Sequence, residues 1–210
     1  MEQLVLLRKL KRQITFPSLT VCLCSVTTSI VMNTYEAPPS ATIFNYQWTL
    51  DTNTASSAMI AFQKYVLTDS LPASIAPEVT LTKGANSGSV RFTVNGGYYG
   101  PASSFNSTIG PLLSQLPSNP TTKLSTGTWI NSASVIANGQ SLNTSQDPFN
   151  YDSFYAKSIM TPENTPVSDA AWTAFIQYLA GTGHDTDLVC LFRYSPVLHT
   201  DIEYRLGLSK

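Results

Sequence analysis

GTWINSASVIANGQSLNTSQDPFNYDSFYAKSIMTPENTPVSDAAWTAFIQYLAG, residues 127–181, is the stretch that decides the fold. It reads as a short helix over Trp129 to Ala137, a long polar loop, a strand over Ser153 to Ile159 and a capped helix. The last piece is the clearest. Thr165-Pro166-Val167 leads in, and Ser168 supplies a side-chain oxygen for the first turn. Trp172, Phe175, Ile176 and Leu179 then recur at the spacing of one helical face. Gly181 or Gly183 stops the helix.

Toward the N-terminus the periodicity changes to two. Thr42-Ile43-Phe44-Asn45-Tyr46-Gln47-Trp48 is rich in β-branched and aromatic residues, which suit a pleated surface. Asp51 or Thr52 opens a helix whose apolar face is Ala55, Ala58, Met59, Phe62 and Val66. Glu78 to Thr82 and Ser89 to Val94 both alternate, and Asn86-Ser87-Gly88 between them is turn chemistry, so the pair reads as a hairpin. After Asn95-Gly96-Gly97-Tyr98-Tyr99-Gly100-Pro101 a helix is expected over Ser103 to Leu116, kinked at Pro111. Val26 to Asn33 and Asp187 to Phe192 read as two further strands. No strand is read beyond Phe192, so the sheet is expected to present an unpaired edge past Cys190. Paired strands separated by helices give an α+β class: a mainly antiparallel sheet with helices packed on one face.

Composition narrows the partners. The 210 residues carry a net charge of -1, which offers no basic footprint for nucleic acid. Only 12% are charged, and Ser, Thr and Asn fill the gap. Two glycosylation acceptors, Asn106-Ser107-Thr108 and Asn143-Thr144-Ser145, point with that composition to secretion. Cys22, Cys24 and Cys190 build no disulfide framework, and with His184 and His199 they make no zinc spacing. Residues 1–24 run from basic Arg8, Lys9, Lys11 and Arg12 into an apolar segment, the order of a secretory signal. Pro17, Ser18 and Thr20 interrupt that segment, and no small-x-small cleavage site follows, so it also reads as a leader outside the packed domain. It is too short and broken for a membrane span.

Taken in order, these elements resemble the middle of fungal FAD-linked oxidases of the berberine-bridge-enzyme-like family, which includes the glucooligosaccharide oxidases. The resemblance covers Val26 to Leu191 and rests on the succession of matches: the 127–181 run, the strand at Val26 and the glycine-aromatic-Gly-Pro exit at 95–101. It implies the substrate domain of the vanillyl-alcohol-oxidase-like flavoprotein superfamily. The family oxidises an alcohol or a sugar's anomeric hydroxyl, passing a hydride to FAD and electrons on to oxygen. Cys22 to Ser25 stand where the family has a glycine-rich flavin loop. The family's flavin-attaching His and Cys and its catalytic tyrosine have no counterpart here. The resemblance therefore implies 1–24 as leader, 25–192 as a substrate-binding α+β domain and 193–210 as a divergent tail. Such a domain would line a cavity for a small-molecule alcohol or carbohydrate and bind no FAD by itself. The alternatives are a non-catalytic secreted binding module and a functionless gene fragment.

Alternation also assigns the sheet faces. Phe44, Tyr46 and Trp48 would face the helices with Val79, Leu81, Val90, Phe92 and Val94. The other face then carries Asn45, Gln47, Glu78, Thr80, Arg91 and Thr93. In the family that face borders the substrate cavity, which makes these six the candidate substrate-binding residues. The same pattern describes a solvated face with Glu78 and Arg91 as a weak cross-strand pair. Tyr151, Phe154, Tyr155 and Lys157 form a second cluster suited to sugar contacts or to packing. His184 with Asp185 and Asp187 reads as a solvated loop rather than an acid–base site.

Overall fold

The computed structural model describes residues 36–67, 71–143 and 165–181 in full, and 154–161, 188–193 and 202–209 as backbone strands. The leader at 1–24, the strand expected at 26–33 and the His184 cluster lie outside the described residues. Ser40–Lys210 forms one compact unit. Its strands are β1 (Ala41–Asp51), β2 (Ile75–Lys83), β3 (Ser89–Tyr98), β4 (Thr121–Gly127), β5 (Phe154–Thr161), β6 (Leu188–Arg193) and β7 (Ile202–Ser209). Its helices are α1 (Thr52–Val66), α2 (Phe105–Leu113), α3 (Trp129–Ile136) and α4 (Asp169–Ala180). The strands make one antiparallel sheet in the order β4-β1-β3-β2-β6-β7-β5, so the α+β class stands.

Register confirms the face assignment in the sheet centre. Trp48 pairs with Phe92 and Phe92 with Leu81, while Tyr46, Val94 and Val79 form the next row. All six are buried. The helical stripes cover them: Met59 and Phe62 from α1, Ile109 and Leu112 from α2, Trp172 and Ile176 from α4. Burying each large apolar side chain contributes roughly 1.5–3 kcal/mol. α2 ends earlier than expected, at Leu113. Its exit tightens into three-residue turns, Gln115 N to Leu112 O and Leu116 N to Leu113 O, which return Leu116 to the core.

Two strands differ from the sequence reading. β4 was not expected: Thr121 to Leu124 are exposed on the sheet edge, so no apolar alternation marks it. β7 lies in the stretch read as a divergent tail and pairs with both β6 and β5. The edge expected past Cys190 is therefore occupied by β7. Ile202, Tyr204, Leu206 and Leu208 alternate and are the signal that could have found it. α3 also departs from a one-sided helix layer. Its Asn131 sits against the missing side chain of Gly127, which pairs with Ala41, on the face shared with Ile43 and Asn45. Thus α1, α2 and α4 cover one face, and α3 closes one end of the other.

Polar groups within the helix layer are satisfied. Trp48 Nε1 donates to Pro117 O at 2.9 Å. Trp172 Nε1 donates to Gln63 Oε1 at 3.0 Å, and Gln63 Nε2 donates to Val167 O at 2.8 Å. One buried amide thus joins α1 to both the start and the body of the α4 segment. Gln63→Leu removes both bonds, one of them to the buried Trp172 indole, and a lost bond of this kind costs about 1–3 kcal/mol. Denaturant unfolding is expected to show about 2–4 kcal/mol lost with an unchanged slope.

Asp51 caps α1, accepting from Asn53 N and Thr54 N at 2.9 and 3.0 Å and from the Thr54 hydroxyl at 2.6 Å. The Thr54 hydroxyl, with these backbone N–H groups, holds its pKa below the ordinary carboxylate value. A depressed folded value stabilises fully above the unfolded pKa, and that stabilisation is lost as pH falls through the folded one. Asp51→Ala is expected to lower the melting temperature at neutral pH and to make it less sensitive to acid, as a pH series of thermal melts would register.

Candidate functional site

The second sheet face carries two polar rows. In the first, Lys123, Asn45, Asn95, Glu78 and Arg193 are consecutive partners across β4, β1, β3, β2 and β6. In the second, Thr121, Gln47, Thr93, Thr80 and Leu191 follow the same strands. Five of the six expected residues stand together here. Asn45, Gln47, Glu78 and Thr80 are half-buried, and Thr93, at 7% exposure, is enclosed between Gln47 and Thr80. Arg91 stands apart. It pairs with Thr49 and Thr82 and is exposed, so Glu78 and Arg91 are not cross-strand partners as expected; Glu78 is opposite Asn95.

Asn95 is the residue that sequence reading missed. Its Nδ2 donates to Glu78 Oε1 at 3.1 Å, and its Oδ1 accepts from the Thr80 hydroxyl at 3.2 Å. Extending the β3 alternation one step past Thr93 would have included it. The alternation read from sequence covers Ser89 to Val94, one residue short of it.

Those glycines build a wall at one end of the rows. A Cβ on Gly97 would lie 2.6 Å from the Tyr99 hydroxyl and 2.8 Å from its Cζ, so the Tyr99 ring lies over Gly97 on the polar face. Trp129, the first residue of α3, packs on that ring with centroids 5.4 Å apart. Thr128 caps α3 by accepting from Asn131 N. Beneath this wall Ala41 is fully buried. Burial pushes the Tyr99 phenol above its ordinary pKa, so it stays neutral at physiological pH, able to donate and accept. Gly96 serves the opposite face: at φ 157° its missing side chain leaves room for Ala76 O and the Phe44 ring. The site is thus a polar floor beside an aromatic wall, a surface able to hold a molecule with several hydroxyls.

A phosphate cradle is not part of it. The Gly96 and Gly97 backbone lies within the ladders to β1 and β2, and their open sides are filled by Phe44, Ala76 and Tyr99. Gly96 and Gly97 therefore offer no open backbone to a pyrophosphate. No three metal-ligating side chains stand together among the described residues. No helix among them is long and apolar enough to cross a membrane. A groove of about 550 Å³ between α1 and α2, lined by Lys64, Tyr65, Pro72 and Thr108, belongs to the helix layer instead. The side chains of Phe154, Tyr155 and Lys157 lie outside the described residues, as does Tyr151.

A seven-stranded antiparallel sheet with this helix layer is a fold shared with solved structures of berberine-bridge-enzyme-like oxidases. The Physcomitrella patens BBE-like 1 structure superposes with a TM-score of 0.67 at 21% identity, over 84% of this chain and 40% of that one. A chitooligosaccharide oxidase gives 0.64 at 21%, with the same two coverages of 84% and 40%. Glucooligosaccharide oxidase from Acremonium strictum, which carries a 6-S-cysteinyl, 8α-N1-histidyl FAD, gives 0.68 at 16%, again over 84% and 40%. The chain therefore spans about 40% of the length of the oxidases it matches. No protein-family model and no curated protein matches it by sequence.

Gly97→Ala is expected to displace the Tyr99 ring while the fold survives, seen as a changed Trp129 environment in near-ultraviolet circular dichroism. Gly96→Ala meets backbone as well as a ring at a strained φ. It is expected to cost more than about 2 kcal/mol in chemical unfolding.

Proposed function

We propose that this chain is the substrate-binding part of an FAD-linked oxidase acting on a carbohydrate or other small alcohol, and that it does not oxidise by itself. The observation that carries the reading is the half-buried row Asn45–Asn95–Glu78, walled by Tyr99 and Trp129, in a fold matched to the oxidases. Hydrogen-bonding groups beside aromatic rings suit a hydroxyl-rich ligand, with polar atoms orienting it and rings covering its apolar faces. Asn45, Gln47, Glu78, Thr80, Thr93 and Asn95 form the floor, and Arg91 is a rim charge. In this reading the flavin is held by polypeptide outside the described residues, in keeping with the filled space beside Gly96 and Gly97. Secretion fits the same reading: Asn106 on α2 and Asn143 after α3 are both exposed glycosylation acceptors.

A second reading, a binding module with no catalytic role, draws on one observation: β7 completes the sheet beside β6 without any other polypeptide. The purified chain is expected to be colourless, with no flavin absorbance. Titrating ¹⁵N-labelled chain with chitotetraose and cellotetraose is expected to shift resonances at Asn45, Gln47, Asn95 and Tyr99. Shifts confined to the α1–α2 groove, or none at millimolar sugar, overturn the assignment of this face.

A further inference from the structure

Thr80, Asn95 and Glu78 stand on adjacent strands, and their hydrogen bonds allow one direction only. A carboxylate offers acceptors and no donor. The Asn95 atom 3.1 Å from Glu78 Oε1 must therefore be the amide nitrogen. That places the amide oxygen 3.2 Å from the Thr80 hydroxyl, which must donate its single proton. We propose that Asn95 is a positioning residue: oriented by Thr80, it holds the Glu78 carboxylate in place to meet a hydroxyl of the ligand. This rests on the reading of the face as the substrate side.

The residue types fit that role. Thr80 is β-branched, so its χ1 is restricted and its hydroxyl direction follows from the strand backbone. Asn95 is directly opposite Glu78, the spacing at which a short amide reaches across an antiparallel pair. Glu78 has a long side chain with several rotors, and ordering it at the moment of binding would weaken affinity. A relay already formed in the free protein removes that cost. Glu78 makes further interactions besides the one with Asn95, and Arg193 is its register partner on β6. Asn95 sets where one oxygen points. With its only proton donated to Asn95, the Thr80 oxygen keeps lone pairs with which to accept from a ligand hydroxyl.

The test uses the ¹⁵N-labelled full chain. The Asn95 side-chain amide pair is assigned by its loss in Asn95→Asp. Thr80→Val is expected to collapse the chemical-shift separation of that pair, because the amide is then free to turn, and Thr80→Ser to restore it. Glu78→Gln is expected to move one proton of the pair, and melting temperatures report that each variant is folded. Thr80→Val is further expected to weaken chitotetraose or cellotetraose binding by about five- to tenfold, with Thr80→Ser within about twofold of the parent. An Asn95 pair indifferent to both Thr80→Val and Glu78→Gln overturns the proposal. So does sugar affinity that follows melting temperature and is not rescued by serine. An intact amide response in a chain that binds neither sugar supports the relay and overturns the substrate-face reading.

Discussion

The pairing register of β1, β3 and β2 is the constraint on which the rest depends. Side chains alternate with a period of two, so one register places Phe44, Trp48, Phe92, Val94 and Leu81 on the same side. A slip of one residue would turn those groups outward and bury Asn45, Gln47, Asn95 and Glu78 under the helices. That alternative would cost several buried aromatic side chains at once. The register that makes the core therefore also makes the polar face.

The two glycines at the end of β3 give that face an aromatic wall. A strand that continued with ordinary side chains would leave the polar rows open at both ends. At Gly97 the absent side chain lets Tyr99 fold back over the sheet, and Trp129 then packs on it. At Gly96 the same economy of volume lets Phe44 and the Ala76 carbonyl approach from the core side. Adjacent glycines thus serve opposite faces, one closing the core and one walling the site. The space beside both residues is taken, so their backbone is not open to a phosphate.

The helix layer packs on the sheet face opposite the polar rows. Gln63 links α1 with the α4 segment through two hydrogen bonds, and the apolar stripes of both helices seat on Val79, Phe92 and their neighbours. The sheet centre is rigid because its buried face is packed, and a rigid floor is what a fixed hydrogen-bond relay requires. α3 stands apart from this layer. It closes the Ala41–Gly127 end of the polar face, where it contributes Trp129 to the wall.

Much of this was legible in the chain alone. The alternation at 42–48, 78–82 and 89–94 assigned the faces of β1–β3, and helical spacing assigned the stripes of α1 and α4, because burial there is set by local periodicity. Asn45, Gln47, Glu78, Thr80 and Thr93 followed from the same rule. Pairing was not legible, because it depends on residues far apart in sequence. Glu78 meets Asn95 and not Arg91 because the hairpin register sets them opposite. β4 is an exposed edge strand with little apolar pattern, and only the backbone ladder to β1 defines it. Trp129 and Tyr99 are thirty positions apart and meet only because α3 folds over the end of the sheet. Local chemistry settled which way each side chain faces; tertiary structure decided which side chains meet, since contact is a property of two segments and periodicity of one.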